Sequence, residues 1–281
     1  MRIDLHTHST ASDGRQPPAV VVGCAAQAGL DALALTDHDT TSGWDEAAAA
    51  AAHQGIALVR GIEISCQHEG ISIHLLGYLQ NPTAPGLIEV LDRSRASRHT
   101  RAQAIVELLS KDVPLSWEDV LAQIEPGATV GRPHVADAMV AKGIVASRTV
   151  AFAGYLNSGS PYYVSHYAPD PVQAVRLLLE AGGVAVMAHP FASVRGRVVG
   201  DEVIEAMAAA GMAGLEVHHR DHGAGQVRHG LDLAAGLGLF VTGSSDYHGD
   251  GKPNQLGENT TEPEVLQQIE DLATGVQVLR G

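Results

Sequence analysis

Residues 1–15 read MRIDLHTHSTASDGR, a short apolar run ending in His6 and His8, with Asp13 and Gly14 close behind. Side chains repeat their direction every second residue along a β-strand, so His6 and His8 project from one face and Asp13 could fold back beside them. Such a trio could hold an ion. On this stretch alone a buried, hydrogen-bonded histidine pair beside an ordinary turn explains the residues equally well, because two imidazoles are a weak motif. What separates the two readings is whether other strands end the same way, and the same question decides the fold.

Six further runs of strand character follow: DALALTDH (31–38), IALVRGIE (56–63), ISIHLLGY (71–78), VAVMAHP (184–190), GLEVHHRDH (214–222) and GLFVTGSSDYH (238–248). Most are continuously apolar, as parallel strands buried on both faces are. Helical stretches separate most of them: one opened by Pro17 and Pro18, one from about Ser42, VQAVRLLLEAGG, and one near Glu264. From about Ala84 to Val164 the alternation stops and only helices are expected, in LIEVLDRSRASRHTRAQAIVELL, WEDVLAQI and RPHVADAMVAKG. The predicted fold is α/β, a distorted (β/α) barrel from residues 1–84 and 165–281 with an all-helical subdomain, 85–164, inserted over the site. An open doubly wound sheet is the alternative. Barrels of this kind place their chemistry at the C-terminal ends of the strands.

Those ends carry Asp37, His38 and Asp39 after LALT, Glu63 after VRGI, His74 within ISIHLLGY, His189 after VAVMA, and Asp246 with His248 in SDYH. A single histidine there is usually just a satisfied polar group. Nine ionisable side chains on one rim, however, would be costly and unpaired without a cation. Imidazole and carboxylate suit manganese, zinc or iron, and a bridging Glu63 lets two ions sit roughly 3.5–4 Å apart. His53, His68, His99, His166 and His229 lie away from the strand ends and read as surface residues. Asp37 and Asp39 are expected to orient imidazoles.

Composition narrows the partners. The chain has 18 Lys plus Arg against 32 Asp plus Glu, which disfavours a broad basic surface for duplex nucleic acid but leaves a small phosphorylated ligand open. Fifteen histidines against two cysteines favour imidazole over thiolate ligation. No secretory leader pattern opens the chain, and the run Ala47–Ala52 is too short to cross a bilayer, so a cytoplasmic protein with no membrane partner is expected. Arg132 and His134 in GRPHVADAM precede a helix whose free N–H groups favour anions, and Arg195 and Arg197 follow His189. All four are candidate phosphate contacts. Arg93, Arg95 and Arg98 read as a solvated helix face.

Taken together, HTHSTASDG, LALTDHDT, GIEIS, IHLLGY, AVMAHP and SDYHG resemble the PHP (polymerase and histidinol phosphatase) family over essentially the whole chain. The resemblance is to its nucleotide-phosphatase branch, which carries a helical insertion and includes 3′,5′-nucleotide bisphosphate phosphatases and RNase AM-type 5′-to-3′ exoribonucleases. It implies a (β/α)7 barrel with a trinuclear site. His6, His8, Glu63 and Asp246 would hold one ion, Glu63, His74 and His189 a second, and Asp13, His38 and His248 a third. It also suggests His222 and Lys252 as pocket residues, and two to three divalent ions, Mn2+ before Zn2+ or Fe2+. The expected activity is phosphomonoester hydrolysis by a metal-bridging hydroxide, best the 3′-phosphate of a 3′,5′-nucleotide bisphosphate, with Glu63, Asp246 and His189 as catalytic residues. A 5′-to-3′ exoribonuclease, a histidinol-phosphate phosphatase, a binuclear amide hydrolase and a vestigial nucleotide-binding regulatory module are the alternatives.

Overall fold

The computed structural model describes all 281 residues. Its seven strands are β1 (Ile3–Thr7), β2 (Ala32–Leu35), β3 (Ala57–His68), β4 (Ile71–Tyr78), β5 (Val184–Met187), β6 (Gly214–His218) and β7 (Phe240–Gly243), each bonded to the next in chain order. A parallel bridge between Thr7 and Tyr247 brings the last strand's exit back to the first, giving a nearly closed seven-stranded α/β barrel.

The barrel is not parallel throughout. Strand β4 runs antiparallel to both β3 and β5. The reason lies in two residues: Glu69 and Gly70, both with positive φ, connect β3 to β4, and only a hairpin fits so short a loop. His74 consequently sits within a strand, opposite Ser65, rather than at a strand's end.

Ten α-helices complete the chain. Helices α1 (Pro18–Gln27) and α2 (Trp44–Gln54) follow β1 and β2; α7 (Pro171–Glu180), α8 (Asp201–Ala209), α9 (Ala224–Leu237) and α10 (Pro263–Leu272) pack around the later strands. Proline opens α1, α7 and α10, where its missing N–H costs nothing, and Asp170 caps α7 by accepting from the N–H groups of Val172 and Gln173. Helix α8, which the sequence reading did not anticipate, buries Val203, Ile204 and Met207.

Alternation along the strands feeds two cores. Ile62, Leu75 and Met187 pack with Leu178 and Ile204, while Leu76 and Val186 pack with Ile3, Leu5 and Ile269. Between β4 and α7 lie α3 (Pro85–Leu109), α4 (Trp117–Leu121), α5 (Arg132–Ala141) and α6 (Arg148–Ala151), the last continuing into a π-helical turn over Phe152–Leu156. Ile105, Leu109, Val135, Met139 and Leu156 form a further apolar cluster among these helices. Thr129 donates its N–H to the Ala11 carbonyl at 3.0 Å, tying this region to the loop after β1. No helix is long and apolar enough to cross a membrane.

Candidate metal centre

The nine residues expected on the rim converge, His74 from within β4. Glu63, on β3 and 1% exposed, is the hub: its Oε2 lies 3.2 Å from His6 Nε2, 3.0 Å from His8 Nε2 and 3.2 Å from His38 Nδ1. Its Oε1 lies 2.8 Å from His74 Nδ1 and 3.3 Å from His189 Nε2. Asp246 Oδ1 approaches His6 and His8 at 3.5 and 3.4 Å, and Asp13 Oδ1 stands 3.2 Å from His248 Nε2. Two of these side chains are aimed by unusual backbone, since His189 and Asp246 both have positive φ, at 29° and 52°.

Protein hydrogen bonds do not satisfy this set. His8 Nδ1, Asp13 Oδ1, His38 Nδ1 and His248 Nε2 are buried without a hydrogen-bond partner, a costly arrangement for four polar atoms in one place. Potential ligand atoms of His8, Asp13, His38 and His248 lie within 4.8 Å of one another, as do those of His6, Glu63 and His189, of His6, His8 and Asp246, and of His38, Glu63 and His74. A hard or borderline divalent cation fits such donors.

The electrostatics agree. Burial alone would raise each carboxyl, but His248 and His38 hold Asp13 well below the usual range, His38 and His74 do so for Glu63, and Lys252 and Arg195 for Asp246. All three are anionic donors. Burial pushes His38 and His189 well down, and burial with Lys252 pushes His248 to about 4, leaving neutral rings. His8 goes the other way: against burial, Asp246 and Glu63 lift it to about 9.

Several residues sit differently from expectation. Asp37 touches no imidazole; it accepts from the Ser9 N–H at 2.8 Å and from the Ser9 and Ser12 hydroxyls at 2.6 Å, pinning the loop that carries Asp13. Asp39 accepts from the Ser65 N–H at 2.9 Å and from Arg98 Nε at 2.7 Å, so Arg98 belongs to a buried pair and not to a solvated face. Arg132 and His134 diverge: Arg132 donates to the Leu156 carbonyl, whereas His134 accepts from the Gly131 N–H through Nδ1 and lines a polar cavity with Ser12, Gln123 and Asp137. His222 spends both ring nitrogens on backbone, one on the Val217 carbonyl and one on the Phe191 N–H, which leaves none for a substrate. Arg195 and Lys252 both reach Asp246 Oδ2, at 2.6 and 2.9 Å, while Arg197 is exposed.

Two neighbours of the site escaped the sequence reading. Glu216, fully buried on β6, accepts from His6 Nδ1 at 2.9 Å, from the His189 N–H at 2.7 Å and from the Ser244 hydroxyl. It fixes which His6 nitrogen faces the cluster. His219 lies 3.6 Å from Asp246 Oδ2 through Nε2. Their place in GLEVHH, within and after a core strand, was the available signal.

The site's surroundings match known proteins. The sequence profile described as PHP domain matches residues 4–124. A 3′,5′-nucleoside bisphosphate phosphatase from Chromobacterium violaceum is 34% identical over 269 residues, covering 95% of this chain and 94% of that protein. A 5′-3′ exoribonuclease from Haemophilus influenzae is 38% identical over 191 residues, 68% of this chain and 69% of its own. A solved structure from Bifidobacterium adolescentis, provisionally assigned as a metal-dependent phosphoesterase, superposes with a TM-score of 0.95 at 41% identity, covering 97% and 96% of the two chains.

Proposed function

Because the chain belongs to the PHP family and is a metal-dependent phosphoester hydrolase, we propose that its substrate is a 3′,5′-nucleotide bisphosphate, from which it removes the 3′-phosphate. One observation carries this reading: a relative acting as a 3′,5′-nucleoside bisphosphate phosphatase aligns with 95% of the chain, helical segment included. In this proposal residues 85–164 cover the barrel's mouth, and the nine converging residues hold two to three divalent ions, manganese first.

Bound divalent metal supplies a water acidified from 15.7 to about 7 and neutralises charge on the phosphoryl oxygens. The protein does the rest. Glu63 gathers five imidazoles around one carboxylate, which fixes the spacing of the ligand set. Arg195 and Lys252 bring two cations to Asp246, where they can exchange contact for phosphoryl oxygens, since guanidinium forks suit phosphate. Asp246 Oδ2, held between those donors and 3.6 Å from His219, is the group assigned to proton movement. His189, neutral and braced by Glu216 through its N–H, completes the rim.

Protein stripped of metal and reloaded with manganese is expected to release one phosphate from adenosine 3′,5′-bisphosphate. No release at stoichiometric metal content removes the proposal. The relation to the Haemophilus exoribonuclease supports a second reading, for which successive loss of 5′ nucleotides from a 5′-phosphorylated oligoribonucleotide is the deciding result.

A further inference from the structure

One side of the donor set is fixed from outside the barrel. Arg148, at the start of α6, makes a two-point contact with Asp137 on α5, Nε to Oδ1 at 2.6 Å and Nη2 to Oδ2 at 2.5 Å. Both side chains are largely buried, at 12% and 7% exposed. The third nitrogen, Nη1, points away from the pair and donates to the backbone carbonyl of Asp13 at 3.2 Å. The Asp13 carboxylate in turn stands 3.2 Å from His248 Nε2 and 3.8 Å from His8 Nδ1. The segment after His248 lies on the same guanidinium, so closely that a Cβ on Gly251 would run into Arg148 Nη1. Arg15 joins the two loops: its N–H donates to the His248 carbonyl at 3.1 Å, and its side chain reaches Asp137 Oδ2 at 2.9 Å. Arg148 thus touches the loops of two candidate ligands while offering no ligand atom itself.

We propose that Arg148, oriented by Asp137, is a positioning residue for the ion whose donors are His8, Asp13, His38 and His248, so that the helical segment governs the occupancy of that one ion. In this group His8 Nδ1, Asp13 Oδ1 and His248 Nε2 have no hydrogen-bond partner, so the backbone beneath them sets their spacing. A polar cavity of about 230 Å3 borders the same loop at Ser12, Gly14 and Arg15, and on that side ion pairs rather than packed apolar side chains hold it. The two-point geometry between guanidinium and carboxylate offsets the desolvation of both groups, and removing one leaves the other buried and short of a partner. The remaining donors are held differently. His6, His74 and His189 bond to Glu63 and Glu216, all within the barrel. Loss of Arg148 should therefore act on one ion and spare its neighbours.

This inference rests on the reading of the nine residues as a centre for more than one ion, and not on the choice of substrate. It is tested by calorimetric titration of the metal-free protein with manganese, beside metal analysis of the loaded protein. In Arg148→Met one ion is expected to bind at least about tenfold more weakly, the effect of losing a partner that orients a ligand, while the others stay within threefold of wild type. Asp137→Asn, which keeps the shape but loosens the hold on Arg148, should weaken the same ion to a smaller extent, and Arg148→Lys should recover part of the loss. Lys142→Met, which removes the 3.2 Å pair with Asp119 in the same helical segment, should leave every ion within threefold and so separates positioning from general loosening. Wild-type affinities in both Arg148→Met and Asp137→Asn overturn the inference, and so does uniform weakening of every ion. If Arg148→Met does not fold, Asp137→Asn and Arg148→Lys decide. A wild-type protein that takes up no manganese strikes the metal reading instead, and amide exchange of the metal-free protein then judges the contact. Residues 10–16 and 248–251 should exchange faster in Asp137→Asn than in wild type, and unchanged exchange there overturns the inference.

Discussion

At the scale of single residues, Glu63 carries the most consequence, because five imidazoles face its two oxygens. Glu63→Gln keeps the shape but removes the charge that balances them. We expect it to lower bound metal and to cut phosphate release at least about a hundredfold, the effect a lost ligand contact commonly exceeds. His53→Ala, on an exposed turn of α2, should stay within twofold of wild type. Metal analysis beside initial rates checks both, and equal small losses would show that Glu63 does not organise the site. Residues such as His6 and His248 were legible because strand ends with two-residue spacing announce themselves. Arg98 was not, because nothing in a helix says which side another segment will cover.

At the scale of elements, the loop between β1 and α1 shows how local backbone serves the site. Gly14 packs so tightly that a Cβ there would lie 2.5 Å from the His8 carbonyl oxygen, and backbone cannot yield as a flexible side chain can. Gly14→Ala should therefore push Asp13 away from His248 and destabilise the fold by about 1–3 kcal/mol, the usual cost of overpacking. A melting curve and metal titration would reveal it; unchanged stability with full metal content would show that the loop has room to move. Most elements could be read from apolar runs and prolines, including the long α3. The direction of β4 was recoverable from its two-residue connection but was lost in the general βα rhythm. Helix α8 is harder to read from DEVIEAMAA because no proline opens it and Gly200, at its N-terminus, supplies no side-chain cap.

At the scale of the whole molecule, protons and metal compete. In the metal-free protein the His8 imidazolium, lifted to about 9 from an ordinary 6.5, contributes stability that is complete below pH 6.5 and lost as pH rises through about 9. Metal binding needs the ring unprotonated. The gain in Tm from manganese should thus be larger at pH 8.5 than at pH 6.5, approaching about 2.7 kcal/mol of stabilisation at a hundredfold excess over Kd. A gain that shrinks with rising pH would contradict this assignment of charge. The barrel as a class was visible from seven strand-like runs and their endings. How the helical segment settles onto it was not, since that depends on pairings such as Arg98 with Asp39 across 59 positions of chain.

The bridge between Thr7 and Tyr247 also sets a timetable. His6 and His8 are made well before Asp246 and His248, which stand beside them in the finished barrel but follow some 240 residues later. Closing so long a loop is slow and entropically late. A nascent or prematurely terminated chain therefore holds an incomplete donor set, and hydrolytic competence arrives only when the final strand docks.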